Sequence, residues 1–284
     1  MDYSKRSIHP ANIYTLGSYL LFALIFCFSS TLLNAQNLDV PYVPTPQKVV
    51  EKMLDMGEVK KGDYVIDLGS GDGRIVIAAV KLGAYGHGID LDPERIQEAR
   101  KNAEKDGLEN QLMFLQQNIF DTDFSGASVI TMYLLTSVNK KLRPQLLESL
   151  EPGTRLVSHS FNMGEWKPDK RATVTPESSA RSHDIYYWVI PAKVDGRWSW
   201  KINGADSGVS IDQQFQEIDL KGTGNSSGDI SEANLSGKRI SFKMTDGGAT
   251  QLYSGRVEGD TISGMVQIYN GDEHTVKTWN ATRN

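Results

Sequence analysis

Asp67, Gly69, Gly71, Gly73 and Asp90 are the residues of this sequence whose types and spacing suit chemistry best. The first four lie in "VIDLGSGDGRIVI", where three glycines occupy five consecutive positions between two apolar runs. A strand that ends in a tight glycine turn and feeds a helix leaves a concave stretch of main chain with free N–H groups, at the carboxyl edge of a parallel sheet where ligands bind. Gly69 and Gly71 allow a ligand to approach the backbone without a Cβ in the way, and Gly73 lets the helix begin close to the strand. Asp90 closes the next apolar run, "GIDLDP". It stands about twenty residues beyond the first glycine, where a carboxylate can accept both hydroxyls of a ribose. The spacing is G-x-G-x-G, with Arg74 where a dinucleotide-binding turn has its last glycine, and this disfavours a nicotinamide-dependent oxidoreductase.

Alternating strands and helices must position these residues. Thr45 and Pro46 suit an N-cap and first helical position for "PQKVVEKMLDMG", in which Val49, Val50, Met53, Leu54 and Met56 fall mostly on one face. "YVIDLG" reads as a buried strand, "GRIVIAAVKLG" as a helix and "YGHGIDL" as a strand. The next helix, "DPERIQEARKNAEKDG", opens at Asp92-Pro93 and stops at Gly107. "LMFLQQNIF", "ASVITMYLL" and "TRLVSHSF" are further strands, with the helix "VNKKLRPQLLESL" between the last two and "DIYYWVIPA" as an added strand. Such alternation predicts a parallel sheet covered on both faces. "ESSARSHD" reads as a polar loop. From about residue 194 the pattern changes to short alternating runs separated by "DGG", "EGD" and "NGD" turns, which predicts an all-β module over residues 194–284, a small antiparallel barrel or sandwich.

The chain of 284 residues is long enough for a sizeable core. Its net charge of −5, with no cluster of Lys and Arg, argues against nucleic acid as a partner. Residues 1–35 have the layout of a signal peptide or membrane anchor: Lys5 and Arg6, then the apolar run from Leu16 to Leu33, then Ala35 at a cleavage position. Leu33 is large for the position three before that cut, so an uncleaved anchor stands as the second reading. The positive-inside bias places the body outside the cytoplasm, in the periplasm or cell envelope, with membrane contact through the N-terminal segment; anchoring on the cytoplasmic side is the alternative. Cys27, the only cysteine, lies inside this segment, so the body has no disulfide, thiolate metal site or cysteine nucleophile.

With Asp67, the glycine turn and Asp90 together, the chain resembles the class I S-adenosylmethionine-dependent methyltransferases: "VIDLGSGDG" is similar to their first motif and "GIDLDP" to the acidic loop that follows. The resemblance spans roughly Val40 to Ala192, within a domain read as residues 36–193. More narrowly, "PYVPTP", "LGSGDGRIVIAA" and "GEWKP" resemble the group that contains the mitochondrial ATP synthase c-subunit lysine methyltransferase and its bacterial relatives. These likenesses imply a Rossmann-like α/β sheet with flanking helices, S-adenosyl-L-methionine as cofactor and a protein lysine side chain as methyl acceptor. They also imply roles. Gly69, Gly71 and Gly73 would line the methionine and sugar part of the cofactor, Asp67 would hold its methionine end through the amino group or a water, and Asp90 would take the ribose. Where such enzymes offer an acid to the adenine amino group this chain has Asn118, an uncharged and weaker acceptor, with Asp121 as a neighbouring substitute.

Methyl transfer from a sulfonium is an in-line displacement, so the catalyst mainly aligns the reacting groups and excludes water. A lysine acceptor must first lose its proton, through desolvation or a base. Tyr42, Thr45, Tyr133 and His159 are the candidates for shaping that pocket, with Trp166 as a wall; for each, plain packing is the competing reading. His87, His159, His183 and His274 lack metal-ligand spacing, and "SHSF" lacks the glycine elbow of a serine hydrolase. In the tail, Trp198, Trp200, Tyr253, Tyr269 and Trp279 either fill a core or line a ligand cavity. A reading from a different class, a non-catalytic envelope binding protein that keeps the methyltransferase fold, accommodates the leader.

Overall fold

The computed structural model describes residues 42–177, 181–202, 204–224 and 228–284; the leader expected over residues 1–35 lies outside them. Among the described residues no helix is long and apolar enough to cross a membrane. Residues Val40–Asn284 form one compact unit containing two sheets.

The first sheet is built by α1 (Gln47–Met56), β1 (Tyr64–Leu68), α2 (Arg74–Lys81), β2 (Tyr85–Asp90), α3 (Pro93–Lys105), β3 (Leu112–Gln116), β4 (Val129–Met132), α4 (Thr136–Ser149), β5 (Arg155–His159), β6 (Lys170–Val174) and β7 (His183–Val189). Its strand order is β3-β2-β1-β4-β5-β7-β6, parallel except that β7 runs antiparallel to both of its neighbours. The order reverses between β1 and β4, so the carboxyl ends of these two strands open the crevice in which an open α/β sheet binds its ligand. Alternate residues of the strands feed opposite faces. Val65, Val129 and Val157 pack with Val49, Val50 and Met53 of α1, while Ile66, Ile130 and Leu156 pack with Leu142 and Leu146 of α4.

Local signals start and stop these elements. Asp92 caps α3 by accepting the Glu94 N–H at 2.8 Å, with Pro93 in the first turn. The structure corrects the expected start of α1: Pro46 is the cap residue and no side chain caps the helix, because the Thr45 hydroxyl is engaged elsewhere. The strand expected over residues 112–120 stops at Gln116, since Asn118 accepts the Phe120 N–H at 3.1 Å and starts a 3₁₀ turn. His183, read as part of a polar loop, begins β7, one residue before the strand expected from Asp184. Strand β6, half exposed and without apolar alternation, escaped the sequence pattern.

The second sheet contains β8 (Gly196–Ile202), β9 (Ala205–Gln214), β10 (Glu217–Gly224), β11 (Asp229–Ser236), β12 (Arg239–Asp246), β13 (Ala249–Glu258), β14 (Thr261–Asn270) and β15 (Glu273–Arg283). All its pairs are antiparallel, in the order β10-β9-β8-β15-β14-β13-β12-β11, and the edge strands β10 and β11 lie beside each other in a nearly closed barrel. Trp198, Trp200, Tyr253 and Trp279 are buried in its core, where Trp200, Phe242, Tyr253 and Trp279 meet ring against ring. Tyr269 lies outside that core, 37% exposed and stacked on His274. Trp198, Trp200, Tyr253 and Trp279 therefore fill the barrel core.

Candidate active site

At the carboxyl end of β1, Gly69, Gly71 and Gly73 all have positive φ, of 71°, 52° and 80°. A side chain at any of them is strained and, on a static backbone, obstructed by different groups. A Cβ on Gly69 would lie 2.8 Å from Leu134, one on Gly71 2.5 Å from the Tyr42 ring, and one on Gly73 2.7 Å from Phe114 beneath α2. Gly73 thus serves the packing of helix on sheet, while Gly69 and Gly71 keep the turn thin. The expectation of free N–H groups is corrected for four residues. Gly69 and Ser70 donate to the Ile89 carbonyl, Gly73 donates to that of Ser70, and Gly71 donates to Asp90 Oδ2 at 2.9 Å. Asp90 Oδ1 accepts the Asp92 N–H at 3.0 Å, so this carboxylate braces the turn while each oxygen keeps a lone pair.

Asp67 is only 1% exposed, with Oδ1 accepting from the Thr131 hydroxyl at 2.7 Å and Oδ2 without a partner. Burial pushes its carboxyl up to about 7; Thr131 opposes the shift, and the charges of Asp90 and Asp72 add to it. The neighbouring Ser70 hydroxyl is likewise buried and unpartnered.

A strap formed by Tyr42 to Thr45 crosses the turn. The Tyr42 ring lies against Gly71, and the Arg95 guanidinium sits 4.6 Å from its centre. Arg74 binds Asp72 through Nε and Nη2 and donates from Nη1 to the Thr45 carbonyl at 2.8 Å. Burial raises the Asp72 carboxyl, but its bonds to Arg74 outweigh burial and leave it below the ordinary range. Burial first, and then Asp72, raises the Tyr42 phenol.

On the other side of the crevice, the ends of β4, β5 and β7 bring Tyr133, His159 and His183 into a row. Tyr133 lies on His159 with ring centres 3.8 Å apart, and His159 Nε2 meets His183 Nδ1 at 2.8 Å. The far nitrogen of His159, Nδ1, meets the Thr45 hydroxyl at 3.1 Å. Burial and the adjacent His183 lower His159 to about 3, so it is a neutral imidazole at ordinary pH. Asn139 donates to the Phe161 and Asn162 carbonyls and holds the loop after β5, which places the Phe161 ring beside Tyr133.

Tyr42, Thr45, Asp67, Gly69, Gly71, Asp90, Tyr133 and His159 therefore gather at one edge of the sheet. Asn118 Oδ1, read as the adenine acceptor, accepts the Phe120 N–H and keeps a lone pair, one residue after the Gln117 N–H bonds the Asp90 carbonyl; Asp121 is exposed beside it. Trp166 is fully buried against Trp188 and Phe215, at the junction with the second sheet, and walls no pocket. The sequence pattern assigned no role in this site to Ser70, Thr131, Arg74, Arg95 or His183. A polar residue inside the apolar run "SVITMYLL" was the available signal for Thr131; the pairing of His183 with His159 depends on the direction of β7.

Asp67 Oδ2 and Ser70 Oγ are buried polar atoms that require a partner. Asp90 has acceptor capacity at the next strand end, and the glycine turn, with Leu134 and Tyr42 packed against it, borders the same strand ends. These features fit the ammonium, carboxylate and ribose of S-adenosylmethionine, with Asp67 and Ser70 toward its amino-acid end and Asp90 toward the sugar. Bound there, that cofactor supplies an electrophilic methyl on a sulfonium. Fold and site together define a class I S-adenosylmethionine-dependent methyltransferase.

The model of the ANTKMT methyltransferase domain matches residues 67–170. A protein-lysine N-methyltransferase of Saccharolobus islandicus (strain REY15A) is 44% identical over 153 residues, covering 53% of this chain and 94% of that protein. The ATP synthase c-subunit lysine N-methyltransferase of Rattus norvegicus is 32% identical over 130 residues, covering 46% of this chain but only 60% of that protein. A crystal structure of an RNA methyltransferase from Salinibacter ruber with S-adenosyl-L-homocysteine is 49% identical, covers 54% of this chain and 96% of that one, and has a TM-score of 0.49. The chain belongs to the methyltransferase family that the ANTKMT domain describes.

Proposed function

We propose that this protein transfers the methyl group of S-adenosylmethionine to the side-chain amine of a lysine in a protein. The observation that carries this reading is the likeness to the archaeal protein-lysine N-methyltransferase, 94% of which is covered. The site is consistent with it. The crevice edge is lined by aromatic rings and neutral imidazole, surroundings that favour the uncharged amine a displacement requires. The full chain, incubated with tritiated S-adenosylmethionine and an extract of cells lacking the gene, is expected to label methyl-lysine in protein hydrolysates. Label in the RNA fraction alone overturns the acceptor, and no binding of S-adenosylhomocysteine in calorimetry overturns the cofactor site.

We also propose that the segment from Leu16 to Leu33 exports or anchors the protein, a reading supported by its apolar length and the preceding Lys5 and Arg6. A reporter fused after Asn284 is expected to be active only outside the cytoplasm; activity only inside overturns this placement.

A further inference from the structure

We infer that Tyr133 and Phe161 form one wall that receives the aliphatic stem of the acceptor lysine, and that Asn139, buried on α4, is the positioning residue that holds this wall together. The inference rests on the lysine reading, because the wall offers flat carbon surface, which an unbranched chain of methylenes fits. Three observations carry it. The first is the wall's place at the crevice. Thr131, two residues before Tyr133, donates to Asp67 Oδ1 at 2.7 Å, and Leu134, the residue after Tyr133, lies 2.8 Å from where a Cβ on Gly69 would stand. The carboxyl end of β4 is thereby fastened to Asp67 and to the glycine turn, which border the cofactor slot. Tyr133 and Phe161 are half-buried there, with ring centres 5.9 Å apart and planes 27° from parallel.

The second observation is how the loop after β5 is held. Asn139 has no solvent exposure, and its Nδ2 lies 3.1 Å from the Phe161 carbonyl and 3.3 Å from both the Asn162 carbonyl and Ser158 Oγ. The Ser158 hydroxyl donates to the same Phe161 carbonyl at 2.6 Å. The third observation is that this arrangement is kept against conformational cost. Ser160 has φ of 62°, at the centre of a three-residue turn in which the Phe161 N–H donates to the His159 carbonyl at 2.8 Å. Asn139 Oδ1 is buried without a partner. A strained backbone persists only where its surroundings over-determine it, and such strain clusters at functional sites; a buried orphan acceptor likewise calls for a reason. The reason offered here is the placement of one ring. The turn reverses the chain directly after His159 and brings Phe161 back to Tyr133, whereas an extended Ser160 would continue the line of β5 and carry the ring away.

The test uses the full chain loaded with S-adenosylhomocysteine, with n-butylamine, the amine that reproduces a lysine side chain, as probe. Saturation-transfer NMR is expected to show the butylamine methylenes in contact with wild type and to lose that signal in Phe161→Leu, which keeps apolar bulk but removes the flat face. With the same cell extract as acceptor, Phe161→Leu and Asn139→Ala are each expected to raise the amount of extract giving half-maximal methyl-lysine formation by about tenfold. The maximal rate and the Kd for S-adenosylhomocysteine should stay nearly unchanged. The double variant is expected to be no worse than either single one, because Asn139 acts through Phe161. Additive losses overturn the role of Asn139. Ser158→Ala, which removes the other donor to the Phe161 carbonyl, makes the same comparison if Asn139→Ala fails to fold. Methyl-lysine formed at unmoved half-saturation by Phe161→Leu, or butylamine contact retained in it, overturns the wall alone. No methyl-lysine from wild type overturns the wall and the acceptor together.

Discussion

Asp67 and Gly71 show how a side chain and the lack of one share a single slot. Asp67 held near 7 carries a proton in the folded chain over a range where the unfolded chain, at the ordinary value of 3.8, has released it. Its contribution to stability is therefore full below the ordinary value and is lost as pH rises through about 7. His159 acts in the opposite sense. Its depressed value gives a contribution present above 6.5 and lost as pH falls toward 3. Because a bound ammonium favours the ionised Asp67, affinity for S-adenosylhomocysteine should rise by up to about tenfold per pH unit below neutrality and level off above it, with Asp67→Asn flattening the curve in calorimetry. Gly71→Ala should cost about 1–3 kcal/mol through its positive φ and the Tyr42 ring 2.5 Å away. Tyr42→Ala in the same chain should return part of that loss in a denaturation cycle; strict additivity would place the ring elsewhere.

Among the elements, the strap is tied to the start of α2 by the Arg74 guanidinium. Arg74 is held by Asp72 at the start of α2 and reaches across to the Thr45 carbonyl. Arg74→Met should free the strap while α2 stays folded, giving faster proteolysis just before Gln47 and a weaker grip of Tyr42 on the turn; an unchanged cleavage rate would remove Arg74 from this role. The glycine turn, α3 with its Asp92 cap and the parallel strands were legible because period, cap and turn residues are local properties. Strand β6 and His183 at the start of β7 were not. They lie at the sheet margin, where antiparallel pairing of β7 with β5 and β6 decides the structure and the local apolar pattern is weak.

For the whole molecule, the two sheets are joined through named contacts. Phe215, with φ of 57°, stacks on Trp166 at 5.6 Å beneath the Arg143 guanidinium, and Gln216 exchanges hydrogen bonds with Trp166 and the Lys167 carbonyl. Gly237 packs close to Gly153, which precedes β5 and so lies at the end of that strand remote from His159. At the Gly237–Gly153 contact the barrel meets the sheet at the end opposite the crevice. Phe215→Ala should lower stability by about 1–3 kcal/mol while leaving the affinity for S-adenosylhomocysteine unchanged. A change in that affinity would show that the junction and the crevice are coupled. A cleft of about 640 Å³ beside the junction is bordered by Lys238, which pairs with Glu151 and Glu258.

By itself the sequence determined the glycine turn, the carboxylates at two strand ends and the class of sheet that holds them, since each follows from residues near one another in the chain. Only the tertiary structure decided that Thr45 faces His159 instead of capping a helix, that Asn118 is engaged in its own turn, and that Trp166 belongs to a junction. It alone brought His183 beside His159, because a hydrogen bond between residues far apart in sequence exists only once strand order and direction have been set by burial of the whole sheet.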